Sequence, residues 1–436
     1  MARNKQTRRQ FLATTTAAAV GVGLGLPASV LGRGKKQSSP SDKVVFGLIG
    51  CGGMGAANMR NFMKHDEVVV AALCDVDTAR MTNDIKNVTD KYGKRPDIYH
   101  DYRKMIERKD IDAIIVGSPD HWHALNFIHC CEAGKDVYQE KPISHNITEA
   151  KAMMAAQKRY GVVSQVGTWQ RSTREFTDAL DYVRKGKLGK IGKCRAWIAD
   201  TTRLGNQKPT TPPESLDYDF WVGPAEMRPY QQNKLHFNWR WILNTGGGLT
   251  TDWGVHMIDI ALLGMCDGLD LPMPYEVSAH GGLWAFPDDE RDAPDTIEAL
   301  YKFPDWVLEW SVLRDHPGKP GHGTEFISED GKTLRVWRGG WIILDPDGKE
   351  IPKEQAEPTN DHWSNFLECL KSREKPRSDL HSVGQTTITC HLSNAALFSG
   401  ETVRWDKNTM EVVGNAGKDT SAYNREYRAP WVLPKV

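Results

Sequence analysis

The sequence predicts an α/β protein of two domains: a doubly wound domain on a parallel sheet, then an α/β domain on a large, mainly antiparallel open sheet. Three observations predict it. Between Val44 and Val166, short apolar runs alternate with helical stretches, as they do when crossover helices join parallel strands. Beyond Val166 the apolar runs come closer together, parted by turn signals such as Glu329-Asp330-Gly331 and Pro346-Asp347-Gly348, the pattern of an antiparallel sheet. The chain has 436 residues, more than one ordinary globular domain and suited to two. The expected divisions are a leader and linker at 1–41, the first domain at 42–166 and the second at 167–436.

Composition narrows the function. Hydrophobic residues are 39% and charged residues 26%, which excludes a disordered or fibrous chain. Lys plus Arg and Asp plus Glu number 56 each, so there is no basic footprint for nucleic acid. The eight cysteines contain no C-x-x-C, which argues against a disulfide scaffold or a structural zinc site. Fifteen tryptophans fit either a broad sheet core or stacking platforms for a flat ligand such as a sugar ring.

The N-terminus reads as a targeting segment. Arg3, Lys5, Arg8 and Arg9 precede an uncharged stretch from Gln10 to Gly32, rich in Ala, Thr and Gly. Thr7-Arg8-Arg9-Gln10-Phe11-Leu12 resembles a twin-arginine export signal. A membrane anchor is the alternative, but the Thr and Gly content suits a transmembrane helix poorly. Cleavage is expected between Leu26 and Gly32, followed by a flexible linker from Gly34 to Asp42, with no membrane span kept and the product exported to the periplasm.

In the first domain Lys43–Ile49 is a strand, and Ala56–Lys64 has helical composition. Between them Gly50, Cys51, Gly52, Gly53, Met54 and Gly55 make G-x-G-x-x-G in the setting of strand, tight turn and helix. That is the Rossmann fingerprint: glycines let backbone approach a pyrophosphate at a helix N-terminus. A second strand, Val68–Cys74, ends at Asp75 with Asp77 beyond. An acid there accepts from the ribose hydroxyls and repels a 2′-phosphate, favouring NAD over NADP.

Further strands at Ile111–Gly117, Asp136–Gln139 and Val162–Val166 alternate with helices at Ala124–Ala133 and Thr148–Tyr160. Ligands bind beyond the carboxyl ends of such strands. Ser118, Pro119, His121 and His123 follow one end, and Glu140, Lys141 and Pro142 another; these are candidate cofactor contacts. No metal is expected, since His121 and His123 lack a matching ligand cluster; capping or packing is their bland role. Lys141 is either an ordinary lysine or, beside a cofactor, a group for proton transfer.

In the second domain strands are expected at Gly192–Ala199, Glu276–Trp284, Thr296–Phe303, Trp306–Leu313, Thr324–Ser328, Thr333–Trp337 and Trp341–Leu344. Helices are expected at Asn360–Glu374 and Thr386–Phe398, and another from Thr251 after Gly246-Gly247-Gly248. On that helix Asp252 and His256 share a face. They suit an acid and a histidine converging on one substrate, or else an acid complementing the helix dipole beside a packed histidine. Trp169, Arg171, Arg240 and Trp241 are candidate substrate contacts, with sheet core and surface pairing as the alternative. An open sheet exposes edges and a face, which favours a homo-oligomer.

Taken in order, Gly50–Gly55, Asp75, Ser118–His123, Glu140-Lys141-Pro142 and Asp252-x-x-x-His256 resemble the Gfo/Idh/MocA oxidoreductases. The resemblance runs from about Val44 to the C-terminus. It implies a Rossmann domain followed by an α/β domain whose open sheet often mediates oligomers. It implies NAD(P)-linked oxidation or reduction of a sugar or polyol hydroxyl. It makes Lys141 the E-K-P lysine, Asp252 and His256 the catalytic acid and histidine, and the Lys141–Pro142 bond cis. It also places His123 near the nicotinamide ribose. Asn238–Asp259 and Tyr427–Trp431 look like a branch of exported members. The expected mechanism has His256 accept the hydroxyl proton, Lys141 stabilise the oxygen and Asp252 orient both. Export implies a cofactor carried out bound and recycled. The alternatives are an NAD-dependent glycosidase working by transient oxidation, and a non-catalytic carbohydrate-binding descendant.

Overall fold

A computed structural model describes residues 43–200, 202–313, 320–353 and 359–436. The expected leader, cleavage site and linker all lie outside the described residues. Among the described residues no helix is long and apolar enough to cross a membrane.

The first sheet is formed by β1 (Val44–Ile49), β2 (Val68–Cys74), β3 (Asp97–Tyr99), β4 (Ala113–Val116), β5 (Asp136–Gln139) and β6 (Ser164–Val166). All neighbours are parallel, in the order β3-β2-β1-β4-β5-β6. The crossovers carry α1 (Gly53–Phe62), α2 (Thr78–Tyr92), α3 (Tyr102–Ile106), α4 (Asp120–Glu132) and α5 (Ile147–Tyr160). Short polar side chains start three of these helices by accepting orphan N–H groups: Asp77 from Ala79, Asp101 from Arg103 and Asn146 from Glu149. Strand order reverses between β1 and β4, so a crevice opens at their carboxyl ends.

The second domain adds α6 (Arg174–Arg184), β7 (Ile191–Ala199), α7 (Tyr218–Val222), α8 (Gly248–Asp252) and α9 (Gly254–Gly264). Strands β8 (Glu276–Gly282), β9 (Thr296–Lys302), β10 (Val307–Leu313), β11 (His322–Ser328), β12 (Thr333–Trp337), β13 (Gly340–Leu344) and β14 (Glu350–Ile351) follow. The chain closes with α10 (His362–Ser372), α11 (Leu380–Ser399), β15 (Val403–Asp406) and β16 (Glu411–Val413). The described strands form a ten-stranded sheet, β14-β13-β12-β11-β7-β10-β9-β8-β15-β16. It is antiparallel except for the β7–β10 pair.

Helices α6, α9 and α11 pack on one face of this sheet. On the other, Arg335, Glu325, Arg195 and Glu309 stand side by side on β12, β11, β7 and β10. Arg335 Nε donates to Glu325 Oε1 and Arg195 Nε to Glu309 Oε2, each at 2.8 Å. Alternating charge of this kind makes a face that matches only a complementary surface.

Helix α10 belongs to the first domain's core despite its place in the sequence. Its Phe366 packs on Phe46, Phe62 and Tyr138, with ring centroids 6.4, 5.8 and 5.9 Å apart. Trp363 Nε1 donates to Asn58 on α1 at 3.1 Å.

Three expected elements move. The helix expected from Thr251 begins at Gly248, whose φ of 68° turns the chain into α8. It breaks at Trp253 before α9, so Asp252 and His256 flank a break instead of sharing an unbroken helix. The strand expected to reach Trp284 stops at Gly282, because the N–H groups of Trp284, Ala285 and Phe286 turn to the Asp295 carboxylate. The last long helix begins at Leu380, six residues early, capped by Asp379. Its buried surface holds Gln385, Thr386, Thr387, Thr389, His391 and Asn394, so an apolar period does not mark it.

Candidate active site and cofactor cleft

The crevice at the β1–β4 switch point is floored by the glycine turn. Gly50 has φ 85°, and a Cβ there would sit 2.6 Å from the Gly117 carbonyl carbon. A Cβ on Gly55 would sit 2.2 Å from Gly50 O. Only glycine lets these segments close on one another. Gly50, Gly52, Gly53 and Met54 line the cleft, whereas Gly55 lies beneath it as packing for the turn. Helix α1 points its N-terminus into this space, which favours a phosphate.

Asp75 lines the same cleft at the end of β2. Its carboxylate accepts from Cys51 N at 2.7 Å and Asp77 N at 2.9 Å. Burial pushes its pKa up to about 6, against these hydrogen bonds and nearby Arg80. Each oxygen retains acceptor capacity for a ribose hydroxyl. Glycine cradle, helix N-terminus and acid together fit a dinucleotide.

At the far end, Lys141 follows β5 and precedes Pro142 across a cis Lys141–Pro142 bond. Its Nζ donates to Asp252 Oδ1 at 2.5 Å and to Asp252 O at 3.0 Å. Arg240 Nε donates to the same Oδ1 at 3.0 Å. Burial alone would raise the Asp252 pKa, but Lys141 and Arg240 hold it well below the usual carboxylate range. Asp252 is therefore an anion between two cations. His256, buried, keeps its pKa well below the ordinary histidine value through desolvation and the charges of Lys141 and Arg338. It is a neutral ring whose Nδ1 has no partner among the described residues.

Glu140 and His123 fasten the loops behind Lys141. Glu140 Oε1 accepts from Asn58 at 2.6 Å. The ring nitrogens of His123 lie 2.7 Å from the carbonyl oxygens of Pro142 and Ser118, and burial lowers its pKa to about 4. Ser118, Pro119, His123, Glu140 and Lys141 all line the cleft.

Three expected site residues are placed elsewhere. His121 is fully buried with Nε2 2.9 Å from Trp221 O, packing the second domain against α4 rather than lining the cleft. Arg171 spends its donors inside the protein: Nε and Nη2 on Asp259, Nη1 on Arg377 O and Ser382 Oγ. Its side chain is 2% exposed and that of Asp259 1%, so it ties α9 to the core instead of meeting substrate. Trp241 is buried against Phe237 and does not line the cleft.

Trp169 stands nearer the chemistry, with its ring centroid 6.5 Å from that of His256. The sequence reading missed Arg338, whose guanidinium lies 4.6 Å from the Trp169 ring and 4.4 Å from Trp253. It arrives on the β12–β13 turn, far from any motif. Arg80, Phe237 and Trp239 in the cleft wall were missed too. Arg80 alone had a signal, lying in the first turn of α2 five residues after Asp75.

A cradle that fits a dinucleotide thus stands beside a lysine, a carboxylate and a neutral histidine, in a two-domain α/β fold. Comparison with known families agrees. The oxidoreductase family model for an NAD-binding Rossmann fold matches residues 44–168, and its C-terminal alpha/beta domain matches residues 194–433. The chain belongs to the Gfo/Idh/MocA oxidoreductase family.

Among curated relatives, myo-inositol 2-dehydrogenase of Thermotoga maritima is 29% identical over 40% of this chain and 47% of its own length. Alpha-N-acetylgalactosaminidase of Shewanella oneidensis is 27% identical over 42% of this chain and 44% of its own. The chain thus spans about half the length of the curated relatives it matches. In structure it is similar to the aldose-aldose oxidoreductase of Caulobacter crescentus, with a TM-score of 0.63 at 18% identity over 83% of this chain and 99% of that one. At that identity the likeness concerns fold.

Proposed function

We propose that the protein is an NAD-dependent oxidoreductase acting on a hydroxyl of a sugar, polyol or glycoside, with its cofactor bound and recycled in place. The observation that carries this reading is the Lys141–Asp252–Arg240 cluster beside neutral His256, next to a dinucleotide cradle. When bound, NAD supplies hydride acceptance and return. Neutral His256 takes the proton of the substrate hydroxyl at its ring nitrogen. Lys141, held by Asp252, donates to the same oxygen as charge develops. Asp252 keeps Lys141 and Arg240 in position and balances their charge. The Trp169 and Trp253 rings supply flat apolar surface for a sugar. Ionised Asp75 supports NAD over NADP.

A twin-arginine leader at 1–41 and export to the periplasm complete the proposal, since that route carries folded protein. So does a homo-oligomer formed through the charged face of the ten-stranded sheet. Light scattering at 50 mM and 500 mM salt tests the latter, and a monomer at both rejects it.

The curated glycosidase relative favours a second reading, hydrolysis through transient oxidation. One experiment addresses both. The protein is purified through its own leader without added cofactor, its dinucleotide is identified by mass, and sugars and glycosides are screened. Net oxidised product supports the first reading. Released aglycone without net redox change supports the second. Protein that holds no dinucleotide and takes none up leaves a non-catalytic binding protein.

A further inference from the structure

The cofactor cleft has a wall that the Rossmann domain does not supply. Residues 202–245 run from β7 to α8 with little regular structure, and they build a small apolar core of their own. Leu216, Trp221, Val222, Tyr230, Leu235 and Trp239 pack together with Val76 of the first domain. This segment is bonded onto the adenosine edge of the cleft, beyond β2. Thr78 N donates to Ser215 O and Asp217 N to Val76 O, each at 2.9 Å, and Asp77 bridges Leu216. His100 Nε2 lies 3.1 Å from Asp217 Oδ2.

The segment then crosses the cleft. His236 Nε2 lies 3.3 Å from Asp77 Oδ2, and the residue sits at φ 46°. A non-glycine residue in the left-handed region is held there by its surroundings. Next to it Phe237 lines the cleft with 66% of its surface exposed, a large apolar ring covered only in part by protein. Arg240 closes the far end. Its guanidinium lies 4.7 Å from the Phe237 ring and 4.3 Å from the Trp239 ring, while Nε donates to Asp252. One run of five residues, His236–Arg240, therefore links Asp77, two residues beyond Asp75, to the Asp252 carboxylate.

We propose that residues 215–240 are a clasp that retains the dinucleotide, with His236 on Asp77 as its latch and Phe237 as the ring the bound cofactor covers. The proposal rests on the cleft being an NAD site. Release then requires the latch to part and the Phe237 ring to leave the bound ligand. Arg240 couples that event to the site, because the same movement strips Asp252 of one of its two cations.

The test uses holoenzyme as purified and follows loss of its own NAD into a large excess of isotopically labelled NAD, read by mass. Wild type is expected to exchange slowly, and Phe237→Ala and His236→Asn at least about tenfold faster. Phe237 is exposed, so its truncation does not threaten folding, and Asn tolerates a positive φ. If wild type holds NAD and both variants exchange no faster, the clasp is overturned while the oxidoreductase reading stands. Wild type that turns over sugar but exchanges NAD within its mixing time overturns it as well. Protein that binds no dinucleotide at all removes the NAD reading itself, a distinct result.

Discussion

Lys141 and Asp252 stand 111 residues apart in the chain, yet Lys141 Nζ lies 2.5 Å from Asp252 Oδ1, with only a tenth of each side chain exposed. The ion pair joins the end of a Rossmann strand to a helix of the second domain. Removing one partner leaves the other charged and buried, so it acts on stability and chemistry together. Asp252→Asn is expected to lower turnover by roughly 10²–10⁴ and stability by about 3–5 kcal/mol. The Asp252 pKa is depressed on folding, so its stabilisation is present above the unfolded carboxyl value near ~4 and is lost as pH falls below it. Thermal melts at stepped pH check this: the gap between wild type and D252N is full at pH 7 and narrows in acid. A gap independent of pH contradicts the assignment.

His256 carries a second prediction. Its pKa is held well below the ordinary value by burial and neighbouring cations, so the base form persists as pH drops through ~6.5. The acid limb of kcat/KM is expected below that value, and His256→Ala is expected to lose about 10²–10⁴ in kcat. A limb at the ordinary histidine value, or unchanged turnover in the variant, would remove His256 from its role as base.

Cofactor choice is expected to depend on pH. Asp75 has a pKa raised to about 6 by burial, so its repulsion of a 2′-phosphate grows as pH rises through that value. The phosphate gains charge over the same range. The preference for NAD over NADP, as a ratio of dissociation constants, is therefore larger at pH 8 than at pH 5. A constant ratio would show that Asp75 does not face the ribose.

Arg171 separates packing from substrate contact. Arg171→Ala strands Asp259 in the core and is expected to cost about 3–5 kcal/mol, read by denaturant unfolding. A variant that kept wild-type stability and only raised the substrate KM would return Arg171 to the sugar site.

The glycine turn gives the most direct test of the cradle. Gly50→Ala forces a side chain into a left-handed conformation and against Gly117. It is expected to lower stability by about 1–3 kcal/mol and weaken NAD binding, measured by calorimetric titration. Unaltered affinity would argue that this turn does not hold the phosphates.

The Rossmann half was legible because its signals are local: Gly50 and Gly55 are demanded by backbone approach, and Asp75 by its place after a strand. Lys141 was a candidate from its place after a strand, and Asp252 and His256 from their four-residue spacing, but only the family resemblance joined the three, since nothing in their spacing shows that two domains bring them together. Arg171 misled because an arginine beside an aromatic looks the same whether it meets a sugar or Asp259. Helix α11 was read short because its buried residues are polar. Phe237 and Arg338 were invisible, being delivered by irregular chain and a turn that carry no periodic pattern.

Phe366 has a bearing on how the protein is made. Its ring finishes a core whose other members, Phe46, Phe62 and Tyr138, leave the ribosome more than two hundred residues earlier. The nascent Rossmann half carries an unfilled hollow until α10 emerges, and a chain cut near residue 168 keeps it for good. Completion of the Rossmann core thus waits for a helix encoded late in the chain.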